Sequence, residues 1–197
     1  MYFNKQIREP KWKSWIIQTN TPLFTPEQCR EIINIGRSQP PQNAQVGMNK
    51  PGGGVDTNKR VTTISWIPFN SAGPMYDKLD TFIQAANLNH FGFDNVRITE
   101  QAQFTEYPVG GFYEWHMDAD TIMAHEPPVR KISMTLLLND PSEFEGGDLE
   151  LLYPGKYKKL DQGHAICFAS FLNHRVNPVK RGLRQSLVVW FGGTPFR

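Results

Sequence analysis

The chain has 197 residues, 39% of them hydrophobic and 20% charged, which excludes a disordered polymer and allows one domain with a substantial core. Its formal net charge of +2 is too small to predict a nucleic-acid-binding protein. No apolar run approaches the roughly 20 residues that a membrane-spanning helix needs. The N-terminal segment has no apolar signal core, and Cys29 and Cys167 form no disulfide or metal motif. We therefore expect a soluble, cytoplasmic protein with reduced thiols.

The first half of the chain predicts helices together with a long loop. In order, the predicted elements are a strand over residues 12–19, a helix over 25–38, a loop over 40–60, a strand over 59–68 and a helix over 74–89. Thr25 is a suitable N-cap for the first helix, Pro26 suits its first position, and Gln28 completes a capping box. The loop contains Pro-Pro and Gly-Gly-Gly, and loops of this length are often functional.

From residue 96 onward the pattern is that of β-structure. Short segments rich in β-branched and aromatic residues are separated by Gly, Pro, Asn or Asp. The predicted strands lie in residues 96–107, 112–118, 130–139, 147–153, 164–170, 174–179 and 183–193. Seven or eight strands after two helices favour a mainly β sandwich or barrel with helices on one face.

The segment EYPVGGFYEWHMDAD places His116 and Asp118 two residues apart. This spacing puts both side chains on one face of a strand, as either an ordinary hydrogen-bonded pair or part of a metal site. Among the other histidines, His174 has the most informative context, because a strand containing Arg184 follows it. Two histidines and a carboxylate form the facial triad of non-haem Fe(II) oxygenases, although a zinc hydrolase can use similar ligands.

Arg184 helps to separate these two chemistries. By period-2 counting, Arg184, Ser186 and Trp190 share one face of an otherwise apolar strand. A buried Arg needs an anionic partner, which is either an internal carboxylate or a bound organic acid. An acid bound beside the metal would favour the oxygenase.

These segments resemble a known family. Residues 107–118 resemble the metal-binding strand of the prolyl 4-hydroxylases, which are Fe(II)/2-oxoglutarate dioxygenases. RKISMTLLLND with EGGDLEL resembles the next strand and its Gly-Gly turn, and DQGHAICFAS through Trp190 resembles the closing strands. The resemblance covers about residues 95–192. It extends more weakly to the first helix and to the strand before the second.

The resemblance implies a double-stranded β-helix, a cupin-like jelly roll with supporting N-terminal helices. Residues 1–197 would form a single dioxygenase domain, with helical support over about 22–92 and the catalytic jelly roll over about 95–193. The implied site residues are the Fe(II) ligands and the groups that bind 2-oxoglutarate. The Fe(II) ligands are His116, Asp118 and His174, and the 2-oxoglutarate site contains Arg184, Tyr107 and Ser186. Arg184 stands where collagen-type hydroxylases of animals and plants usually carry Lys.

The implied reaction is hydroxylation of a C–H bond, with consumption of O₂ and 2-oxoglutarate and with ascorbate as reductant. The expected substrate is a proline-containing peptide or protein, contacted by Tyr113, Trp190 and Arg60 and covered by the loop over 44–60. Packing of Trp190 in the core and solvation of Arg60 are the simpler interpretations of those two residues. Alternatives are oxygenation of another residue or of a free small molecule, a silent jelly-roll binding module, and nucleic-acid demethylation, which the weak net charge disfavours. The sequence leaves the oligomeric state open.

Overall fold

A computed structural model describes residues 14–43, 57–119, 128–153 and 159–195. The helices are α1 (Pro26–Ser38) and α2 (Gly73–Ala86), and a π-helical turn over Asn87–Phe91 extends α2. The strands are β1 (Ile16–Gln18), β2 (Gln42–Asn43), β3 (Arg60–Val61), β4 (Thr63–Ile67), β5 (Arg97–Ile98), β6 (Ala102–Tyr107), β7 (Phe112–His116), β8 (Val129–Leu137), β9 (Phe144–Gly146), β10 (Leu149–Leu151), β11 (Ala165–Ala169), β12 (His174–Val176), β13 (Val179–Gly182) and β14 (Arg184–Gly193). The described part of the chain is therefore mainly β, as predicted.

The strands form a large and a small antiparallel sheet. The large sheet has the order β1-β11-β8-β14-β6-β4-β2, and β5 pairs with β14. The small sheet has the order β10-β12-β7-β3, and β13 pairs separately with β9. Neighbouring strands are often distant in sequence, so the closing segments of the chain lie beside earlier ones.

Alternation along the central strands separates an apolar face of the large sheet from a polar one. On β14, Leu187, Val189 and Phe191 belong to the main hydrophobic cluster, which also contains buried residues of α1 and α2. Arg184 and Ser186, which occupy the alternate positions of β14, hydrogen-bond to each other on the opposite face. The same alternation on β8 places Ile132, Met134 and Leu136 in the core. The helices therefore pack on the apolar, outer face of the large sheet, whereas its polar, inner face is available for a functional site.

Helix α1 begins with the predicted capping box. Thr25 Oγ1 accepts a hydrogen bond from the Gln28 backbone N–H, and the Gln28 side chain accepts one from the Thr25 N–H. Cys29, Ile32 and Ile33 are buried along one face of the helix. The helix therefore has both the start signal and the apolar face that the sequence indicated.

Some predicted elements were wrong in their extent. The strand expected over 59–68 is two strands, because β3 pairs with β7 in the small sheet whereas β4 pairs with β6 in the large one. The chain changes sheet at Thr62, whose hydroxyl donates to the Glu106 carbonyl at 2.7 Å. The strand expected over 96–107 is likewise divided into β5 and β6. The pairing of β9 with β13 was not predicted from the sequence.

Three further expectations concern the helices and the loop. The second helix ends at Ala86 rather than at residue 89, and its π-helical extension stops at Gly92, which has a φ of 68°. Most of the predicted covering loop, residues 44–56, lies outside the described residues. Within the described ranges, neither helix combines the length and the apolarity required to cross a membrane.

Gly36 provides a test of how α1 packs on the sheet. A Cβ atom at Gly36 would overlap the side chain of Phe104, which is only 2% exposed. We expect Gly36→Ala to lower the free energy of unfolding by about 1–3 kcal/mol, although Ala normally favours a helix by about 1 kcal/mol. Urea unfolding of Gly73→Ala is the control, since a Cβ there meets nothing within 4 Å. A free energy of unfolding of Gly36→Ala that equals or exceeds that of the wild-type protein would contradict this packing.

Candidate active site

Three candidate ligands converge at the meeting point of β7 and β12. His116 is the last residue of β7, His174 is the first of β12, and the two are paired in the antiparallel register. Asp118 follows two residues after the end of β7. One ligand atom from each residue lies within 4.8 Å of the others. Nε2 of His116 lies 3.6 Å from Oδ1 of Asp118, and Nε2 of His174 lies 3.5 Å from Oδ2.

Backbone carbonyls fix the orientation of both imidazoles. Nδ1 of His116 lies 2.7 Å from the Glu114 carbonyl oxygen, and Nδ1 of His174 lies 3.1 Å from that of Leu172. A carbonyl only accepts, so each Nδ1 carries the proton and donates it. In the neutral form of each imidazole, Nε2 then has a lone pair on the side of Asp118, as metal coordination requires.

The Asp118 carboxylate is negatively charged although it is buried. Burial alone would raise its pKa, but His174, His116 and Arg130 and a hydrogen bond from Ser133 together hold that pKa at about 2. Within the described part of the chain, the two imidazoles are the only basic groups within ion-pair distance of this carboxylate. A buried anion beside two lone pairs suits a divalent cation.

His116 is held in its neutral form. Burial, with a smaller contribution from the neighbouring His174, lowers the pKa of His116 from 6.5 to about 4. A neutral imidazole at neutral pH is the form that binds a metal. The set of two nitrogen ligands and one oxygen ligand therefore fits Fe(II).

Arg184 is the first residue of β14 and is 3% exposed. No carboxylate of the described residues comes within ion-pair distance of it, and burial lowers its pKa from the ordinary value. It pairs in register with Tyr107, whose ring centroid lies 5.5 Å from the guanidinium carbon. The internal carboxylate considered as a partner is therefore not found there, and the buried cation is suited to an anionic ligand.

A pair of hydroxyls orients the Arg184 side chain. Its Nη1 donates to Ser186 Oγ at 3.0 Å, and Thr105 Oγ1 donates to the Ser186 carbonyl at 3.1 Å. Ser186 Oγ lies 2.6 Å from Thr105 Oγ1, so the Ser186 proton is directed to Thr105. Gly147 makes room for this side chain, because a Cβ there would come 2.6 Å from Arg184 Cδ.

Tyr113 and Arg60 lie beside the candidate ligands. The Tyr113 ring is stacked on His116 with a centroid distance of 3.5 Å, and the Arg60 guanidinium carbon lies 4.4 Å from the Tyr113 centroid. Arg60 is 8% exposed, so the interpretation of a solvated charge was wrong. Its Nη2 donates to Gln103 Oε1 at 2.9 Å, but its buried Nε has no hydrogen-bond partner among the residues that the structure describes.

Trp190 lies opposite Ser133 in the register of β14 with β8. Its ring is 6.0 Å from that of Trp66, and the Arg130 guanidinium carbon lies 3.8 Å from its centroid. Arg130 is fixed by two hydrogen bonds to Glu100, at 2.6 and 2.5 Å. The indole Nε1 is buried without a hydrogen-bond partner, so Trp190 is packed but still offers one donor.

Several residues of this region were not identified from the sequence: Gln103, Thr105, Arg130, Ser133 and Ser170. The available signal was polar residues at alternate positions of apolar strands, as in Ser133 and Thr135 of β8. Two other histidines were not assigned to the site. Nδ1 of His164 lies 3.1 Å from the Thr19 carbonyl oxygen, and His125 lies outside the described residues.

Comparison with known proteins agrees with this arrangement. A sequence model described as the 2OG-Fe(II) oxygenase superfamily matches residues 102–192. A PKHD-type hydroxylase from Colwellia psychrerythraea is 35% identical over 120 residues, which is 58% of this chain and 53% of that protein. The chain spans about half or less of the length of the curated relatives it matches first.

Two solved structures show the same fold. The viral collagen prolyl hydroxylase of Paramecium Bursaria Chlorella virus-1 superposes with a TM-score of 0.69 at 18% identity, over 91% of this chain and 97% of that one. A prolyl hydroxylase of Trichoplax adhaerens superposes with a TM-score of 0.64 at 21% identity, over 90% of this chain and 83% of that one. The predicted jelly roll is therefore confirmed. The chain is similar to the 2OG-Fe(II) oxygenase superfamily over residues 102–192, which make up slightly less than half of its length. Its fold is similar to that of these two prolyl hydroxylases.

The lowered pKa of His116 predicts a pH effect on the metal-free protein. As pH falls from 6.5 to about 4, the unfolded chain takes up a proton at His116 that the folded chain does not. The folded state should therefore lose stability over this range. We expect the loss, measured by urea unfolding in a chelator, to be smaller in His116→Gln. Parallel pH profiles of the two proteins would contradict a buried, neutral His116.

Proposed function

We propose that this protein is an Fe(II)- and 2-oxoglutarate-dependent hydroxylase that acts on a proline-containing peptide or protein. The observation that carries the proposal is the convergence of His116, Asp118 and His174, which the hydrogen bond from Ser133 to Asp118 joins to the large sheet that holds the buried Arg184. In the balanced reaction, a substrate C–H bond, O₂ and 2-oxoglutarate give the hydroxylated product, succinate and CO₂. The bound iron would supply the activation of O₂.

The protein's own contribution is to place the reactants. His116 and His174 would bind Fe(II) through Nε2, and Asp118 would bind it through a carboxylate oxygen. The Arg184 guanidinium would bind the distal carboxylate of 2-oxoglutarate, with Ser186 and Thr105 holding it in place and the Tyr107 hydroxyl available as a second donor. Three protein ligands leave coordination positions for the keto acid and for O₂.

Two donors on Arg60 and Trp190 support a substrate that carries carbonyl groups. Among the described residues, Arg60 Nε and Trp190 Nε1 are buried donors without hydrogen-bond partners, and peptide carbonyls are suitable acceptors for them. Tyr113 and Trp190 add aromatic surfaces of the kind that pack against a proline ring. The Trichoplax structure was determined with a peptide fragment of the hypoxia-inducible factor, which is a property of that protein.

Two other functions remain distinct candidates. The same oxygenase chemistry on another residue or on a free small molecule would use the same four residues, with a different acceptor for Arg60 and Trp190. A silent binding module would have no reason to bury Asp118 and Arg184, for which the described residues offer no ion-pair partners other than the two imidazoles beside Asp118. The cytoplasmic location stays a prediction.

Turnover should depend on the candidate iron ligands. We expect succinate formation from 2-oxoglutarate with Fe(II), O₂ and ascorbate, stimulated by proline-containing peptides more than by free proline. Asp118→Ala and His174→Ala should abolish it because each removes a ligand, whereas His90→Ala should not. Mass spectrometry should show product heavier by one oxygen atom. Full activity of His174→Ala would eliminate this function, and omission of ascorbate tests its role as reductant.

Removal of the Arg184 cation should weaken only the binding of 2-oxoglutarate. Arg184→Met should raise the 2-oxoglutarate concentration needed for half-maximal turnover by about 10- to 100-fold, because a charge-assisted hydrogen bond is worth roughly 1.5–3 kcal/mol. Arg30→Met is the control, since Arg30 is an exposed partner of Glu27 on α1. An unchanged requirement in Arg184→Met would exclude Arg184 as the anchor.

Arg60 should affect binding of the peptide and not binding of 2-oxoglutarate. We expect Arg60→Met to raise the KM for a proline-containing peptide by about tenfold while leaving the KM for 2-oxoglutarate within about twofold, because only the peptide would accept from Arg60. Steady-state kinetics with each substrate varied in turn make this comparison. A rise in the KM for 2-oxoglutarate alone would instead show that Arg60 contributes to binding of the keto acid.

A further inference from the structure

Two buried hydroxyls lie behind the Asp118 carboxylate and have no part in the chemistry described above. Ser133 Oγ donates to Asp118 Oδ2 at 2.7 Å, and Ser170 Oγ lies 2.9 Å from Ser133 Oγ. Ser133 is 1% exposed and Ser170 is fully buried. We refer to Ser133 and Ser170 as the serine pair.

The direction of the hydrogen bonds in the serine pair follows from the number of protons. Each hydroxyl has one proton, and an ionised carboxylate only accepts. Ser133 gives its proton to Asp118, so it must accept the proton of Ser170. Both hydroxyl dipoles are therefore aligned toward the carboxylate, which strengthens the charge-assisted bond to Oδ2.

Ser170 also holds the main chain of Asp118. Its carbonyl oxygen accepts from the N–H groups of Asp118 and Ala119, at 3.0 and 2.9 Å, and its own N–H donates to the Lys131 carbonyl at 2.9 Å. Asp118 lies beyond the end of β7, so the β7–β12 ladder does not fix it. The serine pair supplies that constraint from β8 and from the residue after β11.

We propose that Ser133, oriented by Ser170, is a positioning residue that holds Oδ2 of Asp118 and leaves Oδ1 to bind a divalent cation. This inference rests on the metal site of the proposed function. Without the Ser133 hydroxyl, the carboxylate can rotate about its terminal bond, and the cation must order it on binding. Loss of such a supporting hydrogen bond typically weakens metal binding by about 10- to 100-fold.

The test measures Mn(II) binding to the full chain without 2-oxoglutarate, by titration of the electron paramagnetic resonance signal of free Mn(II). Ser133→Ala should bind Mn(II) about 10- to 100-fold more weakly, and Ser133→Thr should restore most of the affinity because it keeps the hydroxyl. Ser170→Ala should weaken binding in the same direction, and it serves as the second variant if Ser133→Ala does not fold.

Ser65→Ala is the matched control. Ser65 is 3% exposed, and its hydroxyl donates to the Gly36 carbonyl at 2.6 Å on the helix-covered face of the sheet. It should lose stability but keep wild-type Mn(II) affinity. If Asp118→Ala loses Mn(II) while Ser133→Ala and Ser170→Ala both stay within about twofold of wild type, the positioning role is overturned and the proposed function stands. If the wild-type protein itself binds no Mn(II), the metal site and this inference both fail.

Discussion

Antiparallel pairing of β7 with β12 is the constraint on which the candidate site depends, because it sets the two imidazoles opposite each other. The register pairs His174 with His116 and Val176 with Tyr113, so β7 contains one more residue than β12 between these pairs. This bulge brings Tyr113 and His116, three residues apart, onto the same face, where their rings stack. In a regular strand the two would point to opposite faces. The bulge thus places an aromatic side chain beside the candidate metal ligands.

Two opposite charges are buried at the candidate site, and this destabilises the folded chain unless a ligand pairs with them. An anionic Asp118 and a cationic Arg184 are both buried, and neither forms an ion pair with the other. Each unpaired charge costs desolvation energy. A divalent metal with a bound keto acid would supply a partner for each charge, because the metal would bind Asp118 and the distal carboxylate would bind Arg184. Arg suits this position because its planar guanidinium can bind a carboxylate through two hydrogen bonds.

Much of this arrangement was predictable from the sequence. Period 2 along β14 correctly separated Arg184 and Ser186 from the apolar Leu187 and Val189, and the capping signals correctly placed the start of α1. The resemblance supplied the fold, which composition and periodicity had narrowed only to a sandwich or barrel. These predictions succeeded because they depend on local patterns.

The remaining features depend on pairing between distant segments, which periodicity does not report. The bulge in β7 is defined only by its partner β12, and the change of sheet at Thr62 is visible only once β3 and β4 have different neighbours. Ser133 and Ser170 are 37 residues apart and meet because β8 pairs with β11. Asp118 was expected within a strand, but it lies after β7 and reaches the imidazoles from a turn.

The central claim is that one metal ion and one keto acid occupy the inner face together. An anaerobic crystal structure with Mn(II) and 2-oxoglutarate, using anomalous scattering to locate the metal, tests it most directly. The account predicts one strong anomalous peak bounded by His116, Asp118 and His174, with the distal carboxylate of the acid at Arg184. A peak elsewhere, or an acid bound away from Arg184, would contradict it.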